Sequence, residues 1–182
     1  MSWILTSTGK HFDFADPQPD QVDIIHIANG LAKQCRFSGQ CREFYSVAQH
    51  SVLVSQYVVG PRELALEGLL HDAAEAYCQD IPSPLKTLLP DYHCIEQRVQ
   101  NIIYAKFGIE HHPQRSYPVF QADLALLATE RRDLMPEEST PWPILHGIIP
   151  LAARIEAIGP KEAFWEFIHR FNLLTGWRGV LA

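Results

Sequence analysis

The stretch Leu69-Leu70-His71-Asp72-Ala73-Ala74-Glu75-Ala76 decides how this chain is read. An imidazole and a carboxylate stand side by side at the polar edge of an apolar helical segment, and Glu75 follows one turn after His71 on nearly the same face. Both members of the pair can reach one divalent ion. Taken alone, the dipeptide reads as a hydrogen-bonded polar pair on a helix surface, so its partners elsewhere in the chain matter. His50, within Tyr45 to Ser55, and Asp123, within Phe120 to Glu130, are each a lone ligand-type residue in an apolar helical pattern. The order is then His, His-Asp, Asp. Mixed imidazole and carboxylate ligation suits a borderline or hard divalent metal and leaves positions open, as a catalytic site requires.

This order of ligands, with Glu75-Ala-Tyr-Cys-Gln-Asp-Ile-Pro-Ser-Pro-Leu-Lys86 directly after the pair, resembles the HD-domain phosphohydrolases, most closely their compact nucleotidase branch. The likeness runs from about Arg36 to about Asp133, and its most specific blocks are Ser46–His50 and His71–Lys86. It implies an all-α, HD-type helical bundle. It also implies metal ligands at His50, His71, Asp72 and Asp123, a catalytic acidic pair at Glu75 and Asp80, and phosphate-contacting bases at Arg36 and Lys86. One position departs: Phe120 stands where relatives often carry a basic residue, three places before the last metal-binding Asp. Phe37, beside Arg36, reads either as a stacking surface for a base or sugar or as packing at a helix end.

The resemblance implies one divalent metal ion, with Co, Mn, Ni, Zn, Fe and Mg not distinguishable. The expected activity is hydrolysis at the 5'-phosphate of deoxynucleotides, as by a 5'-deoxynucleotidase. Release of triphosphate from deoxynucleoside triphosphates and stepwise dNTP phosphatase activity are the nearest alternatives, and a non-catalytic nucleotide-binding regulatory module is a further one. Within the leading reading Glu75 orients or deprotonates water and Asp80 donates or orients a proton. A homo-oligomer is expected.

Bulk properties bound these readings. With 182 residues and 47% hydrophobic content, the chain is long enough for one buried core, divided here into an N-terminal hairpin (1–16), a metal-site helical core (20–135) and a C-terminal helical extension (136–182). A net charge of −6 argues against a nucleic-acid polymer as substrate, whereas a small phosphate ester needs only a bound cation and a few local bases. No apolar run approaches membrane-spanning length, so a cytoplasmic protein without membrane association is expected. Cys35, Cys41, Cys78 and Cys94 lack C-x-x-C spacing and read as reduced packing residues.

The same spacing rules predict the elements. Two alternating runs flank Gly9 as a hairpin, and Ile24, Ile27, Ala28 and Leu31 mark a first helix. Ser46 and Gln49 form a capping-box pattern opening a second. A third begins at Pro61 and reaches the His71 pair; a fourth, from about Asp91 to Gly108, turns Ile95, Val99, Ile102 and Ile103 inward. A fifth after Pro118 carries Asp123, Leu126, Leu127 and Glu130, and Pro160 introduces the stripe Phe164, Trp165, Phe167, Ile168 and Phe171. His111 and His112 read as exposed loop residues.

Overall fold

The computed structural model of the protein describes residues 1–114 and 116–179; the last three residues of the expected C-terminal extension lie outside the described residues. Among the described residues the fold is helical apart from one two-stranded antiparallel hairpin. Strands β1 (Trp3–Leu5) and β2 (His11–Asp13) pair with Ile4 opposite Phe12, and Phe12 is fully buried, stacking on Tyr77 at a centroid distance of 4.0 Å. Phe12 fastens the hairpin to the core, and Thr8 in its turn hydrogen-bonds His26.

Asp23 caps α1 (Ile24–Lys33) by accepting from the Ile25 amide at 2.9 Å, and the face Ile24, Ile27, Ala28, Leu31 is buried as its spacing predicts. Ser46 caps α2 (Val47–Tyr57) by accepting from the Gln49 amide at 3.1 Å. The capping box is only half formed. The Gln49 side chain turns instead to the Glu156 carbonyl (2.7 Å) and the Ile158 amide (3.1 Å), satisfying an irregular segment that has few backbone partners of its own. Helix α3 (Arg62–Leu70) packs on α2 at Gly68, where an added Cβ would lie 3.3 Å from the Ser55 Cα and 3.0 Å from Val58 Cγ2.

The third helix does not run through the His71 pair. Residues His71–Ala74 form a turn, and helix resumes as the single-turn α4 (Glu75–Cys78). The cause is an inserted side-chain amide. In a continuous α-helix the Ala74 N–H would donate to the Leu70 carbonyl; here it donates to Gln100 Oε1 (2.9 Å), while Gln100 Nε2 donates to the Leu70 carbonyl (2.7 Å). Local bonds then shorten to the three-residue type, Ala73 to Leu70 and Glu75 to Asp72, winding the segment at about three residues per turn instead of about 3.6. Gly30 lets α1 approach this region closely, because a Cβ there would sit 2.8 Å from the Ala76 carbonyl oxygen.

After a short α5 (Ser83–Lys86), helix α6 (Pro90–Phe107) ends at Gly108 in the left-handed conformation (φ 67°), and α7 (Tyr117–Leu134) and α8 (Pro160–Thr175) follow. Two expected core faces are narrower than their spacing suggests. Val99 and Ile103 are buried but Ile95 is 36% exposed, and Phe167, Ile168 and Phe171 are buried while Trp165 is 45% exposed. The main core joins α1, α2, α3, α6 and α8, and a smaller cluster of Val54, Val119, Ala122 and Leu126 ties α2 to α7. Helices α2, α3 and α7 meet pairwise, so residues on their facing sides converge at one place.

Candidate metal centre

His50 in the second turn of α2, His71 just past α3 and Asp123 in the second turn of α7 meet there, with one ligand atom from each lying within 4.8 Å of the others. The Nε2 atoms of His50 and His71 are 3.4 Å apart, and Asp123 Oδ1 lies 3.2 Å from the first and 4.0 Å from the second. Asp72 joins through the histidines, its Oδ2 3.1 Å from His71 Nε2 and 3.5 Å from His50 Nε2, and it is shared with Arg36 Nη1 at 3.5 Å. His50 is fully buried.

The far side of each ring is held. His50 Nδ1 donates to Glu130 Oε1 at 2.7 Å, and His71 Nδ1 donates to the Gly68 carbonyl at 2.8 Å. With both Nδ1–H groups committed, each neutral ring turns its Nε2 lone pair toward the other and toward two carboxylates. Acceptors of His50, His71 and Asp123 within 4.8 Å of one another, with Asp72 beside the two rings, require a positive charge among them. A divalent cation satisfies that requirement, and the donor set of imidazole and carboxylate groups, with outer partners on both rings, fits one. Protons answer the same demand. Burial disfavours charge on His71, yet Asp72 and Asp123 outweigh it and lift the imidazole to about 9. His50 is also raised, since Glu130 and Asp123 overcome burial and Arg36. Against burial, His71, His50 and Arg36 hold Asp72 far below the usual carboxylate range, and His50 keeps Asp123 low.

Beside this cluster lies a cavity of about 190 Å³ lined by His71, Asp72, Glu75, Lys86, Glu96 and Gln100, among others. Glu75 is buried, with one oxygen accepting from Lys86 Nζ at 2.9 Å and the other, Oε2, without a partner among the described residues. Burial, with Asp72 and Asp80 nearby, pushes its proton affinity well above the carboxylate range despite Lys86. Lys86 is bound on its other side by Glu96 Oε1 at 2.7 Å, so its charge is clamped between two carboxylates. Tyr92, one turn before Glu96, donates to the Gln79 carbonyl at 2.7 Å. Gln79 has φ 79°, a conformation that costs a non-glycine residue free energy, and it precedes Asp80. The Asp80 amide donates to Gln34 Oε1 at 2.8 Å, and burial and Asp72 raise its carboxyl against Arg36 and Lys86.

Arg36 lies between Asp72 and Glu130 (Nη2 to Oε2, 3.2 Å), and its guanidinium lies 5.4 Å from the centroid of the Phe37 ring. Phe37 packs against Arg36 and, at 6.3 Å, the Trp142 ring. Phe120 is half exposed. His111 is an exposed loop residue as expected, but it is not without partners: Nδ1 contacts the buried Glu67 at 2.6 Å and the ring stacks on Tyr104. That contact gives the buried Glu67 carboxylate on α3 a hydrogen-bond partner. Glu96, Gln100, Glu130 and Trp142 were not singled out from the sequence. Only Glu130 carried a signal, two helical turns after Asp123 on the same helix.

Fold and site together define a helical protein with a part-buried histidine-carboxylate cluster beside a cavity lined by polar side chains. No family model matches the chain. It is 49% identical over 177 residues to the Escherichia coli (strain K12) protein named "Uncharacterized protein YfdR", covering 96% of this chain and 97% of that protein. The chain belongs to the YfdR family. A second relative, an uncharacterized protein of Rhodobacter capsulatus, is 33% identical over 117 residues, or 59% of each chain. Among the described residues no helix is long and apolar enough to cross a membrane.

Proposed function

We propose that the protein is an HD-type, metal-dependent phosphohydrolase acting on the 5'-phosphates of deoxynucleotides, with monophosphates as its first substrate class. The observation that carries this reading is the pair of imidazoles whose Nδ1–H groups are committed to Glu130 and Gly68, leaving both Nε2 atoms directed at Asp72 and Asp123. His50, His71, Asp72 and Asp123 would hold the ion. A divalent cation, when bound, neutralises phosphate oxygens and acidifies water.

The chain's own groups supply the rest. Glu75, buried and with Oε2 unpartnered, can take a proton from water or orient it, and Lys86 keeps its other oxygen fixed. Asp80 sits on a rigid turn next to the same groups and can return a proton to the leaving alkoxide. Arg36 presents a guanidinium suited to two-point contact with phosphate once Asp72 turns to the cation. The cavity of about 190 Å³ is smaller than the roughly 300 Å³ of ordinary ligand pockets, so it would admit the phosphate and adjoining sugar atoms with the base outside. Phe37 and Trp142 offer aromatic surface beside Arg36.

The test is a panel of deoxynucleoside mono-, di- and triphosphates with Mn, Co, Ni, Zn, Fe or Mg, reading phosphate and longer polyphosphate products. The expected result is phosphate release from monophosphates. Release of intact triphosphate would make the enzyme a triphosphohydrolase, and nucleotide binding without turnover under every metal would make it a regulatory module.

A further inference from the structure

Cys35 and Cys41 are separated by six positions in sequence, yet their Sγ atoms lie 3.5 Å apart. Both are half-buried free thiols. The chain between them turns through three consecutive left-handed residues, Phe37 (φ 55°), Ser38 (φ 52°) and Gly39 (φ 75°), of which only the glycine adopts that region without cost. Both ends of the turn are fixed. The Arg36 amide donates to the Tyr45 carbonyl at 2.9 Å, and the Arg42 amide to the Leu134 carbonyl at the end of α7, also at 2.9 Å. A bond between the two sulfurs would therefore close a small ring around a strained turn whose ends already meet, and that ring contains Arg36.

We propose that Cys35 and Cys41 form a reversible dithiol-disulfide site, oxidised by a small-molecule disulfide of the glutathione type, that locks the turn carrying Arg36 and Phe37. The Cys35 thiolate attacks one sulfur of glutathione disulfide, forming a mixed disulfide and releasing one glutathione thiol. Cys41 then attacks the Cys35 sulfur, forming the protein disulfide and releasing the second glutathione thiol. Two protein thiols are oxidised, one glutathione disulfide is reduced, and the two cysteine protons end on the two glutathiones. Burial and the adjoining Cys35 thiol push Cys41 up to about 11, which disfavours it as the first attacker, and its closeness to the Cys35 sulfur is what lets it resolve the mixed disulfide. Cys94 is exposed and without a second cysteine among its described contacts, so it can take up glutathione but cannot release it by ring closure.

The full-length protein is incubated over a range of reduced to oxidised glutathione ratios, alkylated and digested with trypsin. Cleavage after Lys33, Arg36 and Arg42 places the two cysteines on separate peptides, Gln34–Arg36 and Phe37–Arg42. The expected result is that these two peptides become joined, with no glutathione left on either cysteine, and separate again on reduction. Cys35→Ser and Cys41→Ser should each abolish the joined species, with glutathione persisting on the remaining thiol. The oxidised wild type should melt at a higher temperature than the reduced form, and neither serine variant should show that rise. Stable glutathione adducts on wild-type Cys35 or Cys41 at every ratio, with no joined peptides, would overturn the site. A joined peptide pair with an unchanged or lowered melting temperature would overturn the claim that the bond locks the turn.

Discussion

Glu130 Oε1 lies 2.7 Å from His50 Nδ1, and its other oxygen lies 3.2 Å from Arg36 Nη2, so one fully buried carboxylate orients a candidate metal ligand and a candidate phosphate base together. Its burial is tolerable only because both oxygens meet donors. Glu130→Gln keeps the shape but weakens the hold on His50. Outer-partner losses of this kind cost about 10- to 100-fold in metal affinity. Calorimetric titration with Mn or Co should show that drop; an unchanged affinity would mean that His50 is oriented by packing alone.

Stability should fall with rising pH in the cation-free protein and hold level over the same interval in the cation-loaded protein. An imidazole raised in the folded state contributes stability that is complete below its unfolded value of about 6.5. That contribution fades as pH rises through the folded value, about 9 for His71, with His50 shifted in the same direction. Protein treated with chelator should therefore lose stability between these limits. Cation-loaded protein uses neutral rings, so the stabilisation that the cation adds should grow over the same interval. Denaturant midpoints measured at several pH values with EDTA or with excess Mn check this, and parallel trends would contradict it.

Gln100 holds open the Leu70–Ala74 hydrogen bond. In Gln100→Leu the freed carbonyl and amide can pair with each other, so the loss of stability should be modest, about 1–2 kcal/mol. Metal affinity should fall more than stability does, because a continuous helix changes how His71, Asp72 and Glu75 are presented. Gln100→Glu, which retains one acceptor for the Ala74 amide, should fall between. Titration and unfolding on the same samples separate the two effects.

Glu75→Gln should leave metal content and nucleotide affinity near wild type and lower turnover by roughly a hundredfold or more, the range for loss of a general acid or base. Lys86→Ala and Glu96→Gln test the clamp beside it. If Lys86 chiefly fixes Glu75, both should lower turnover with little change in the Michaelis constant; a rise in the Michaelis constant confined to Lys86→Ala would place Lys86 on the phosphate. Loss of metal from Glu75→Gln would make Glu75 a ligand.

The residues legible in the sequence were those whose polarity conflicts with their surroundings. His50 and Asp123 stand alone in apolar helical patterns, which is why each could be placed at an interior meeting point before any fold was known. Helix starts at Asp23 and Ser46 were legible because the capping chemistry is local. The break after Leu70 was not, since no proline or glycine marks it and the amide that causes it comes from α6, thirty positions away. Glu96 and Gln100 look like ordinary solvated positions until α6 is packed, and the Cys35–Cys41 approach depends on a turn whose left-handed residues Phe37 and Ser38 have no composition signal.

The central claim is that His50, His71, Asp72 and Asp123 form one divalent-cation site. Elemental analysis of the purified protein, paired with calorimetric titration of the stripped wild type, His71→Ala and Asp72→Ala, tests it most directly. About one ion per chain in the wild type, with most binding lost in both variants while far-UV circular dichroism still reports a helical fold, is the predicted result. A wild type that binds none of Mn, Co, Ni, Zn, Fe or Mg, or variants that bind as the wild type does, would contradict it.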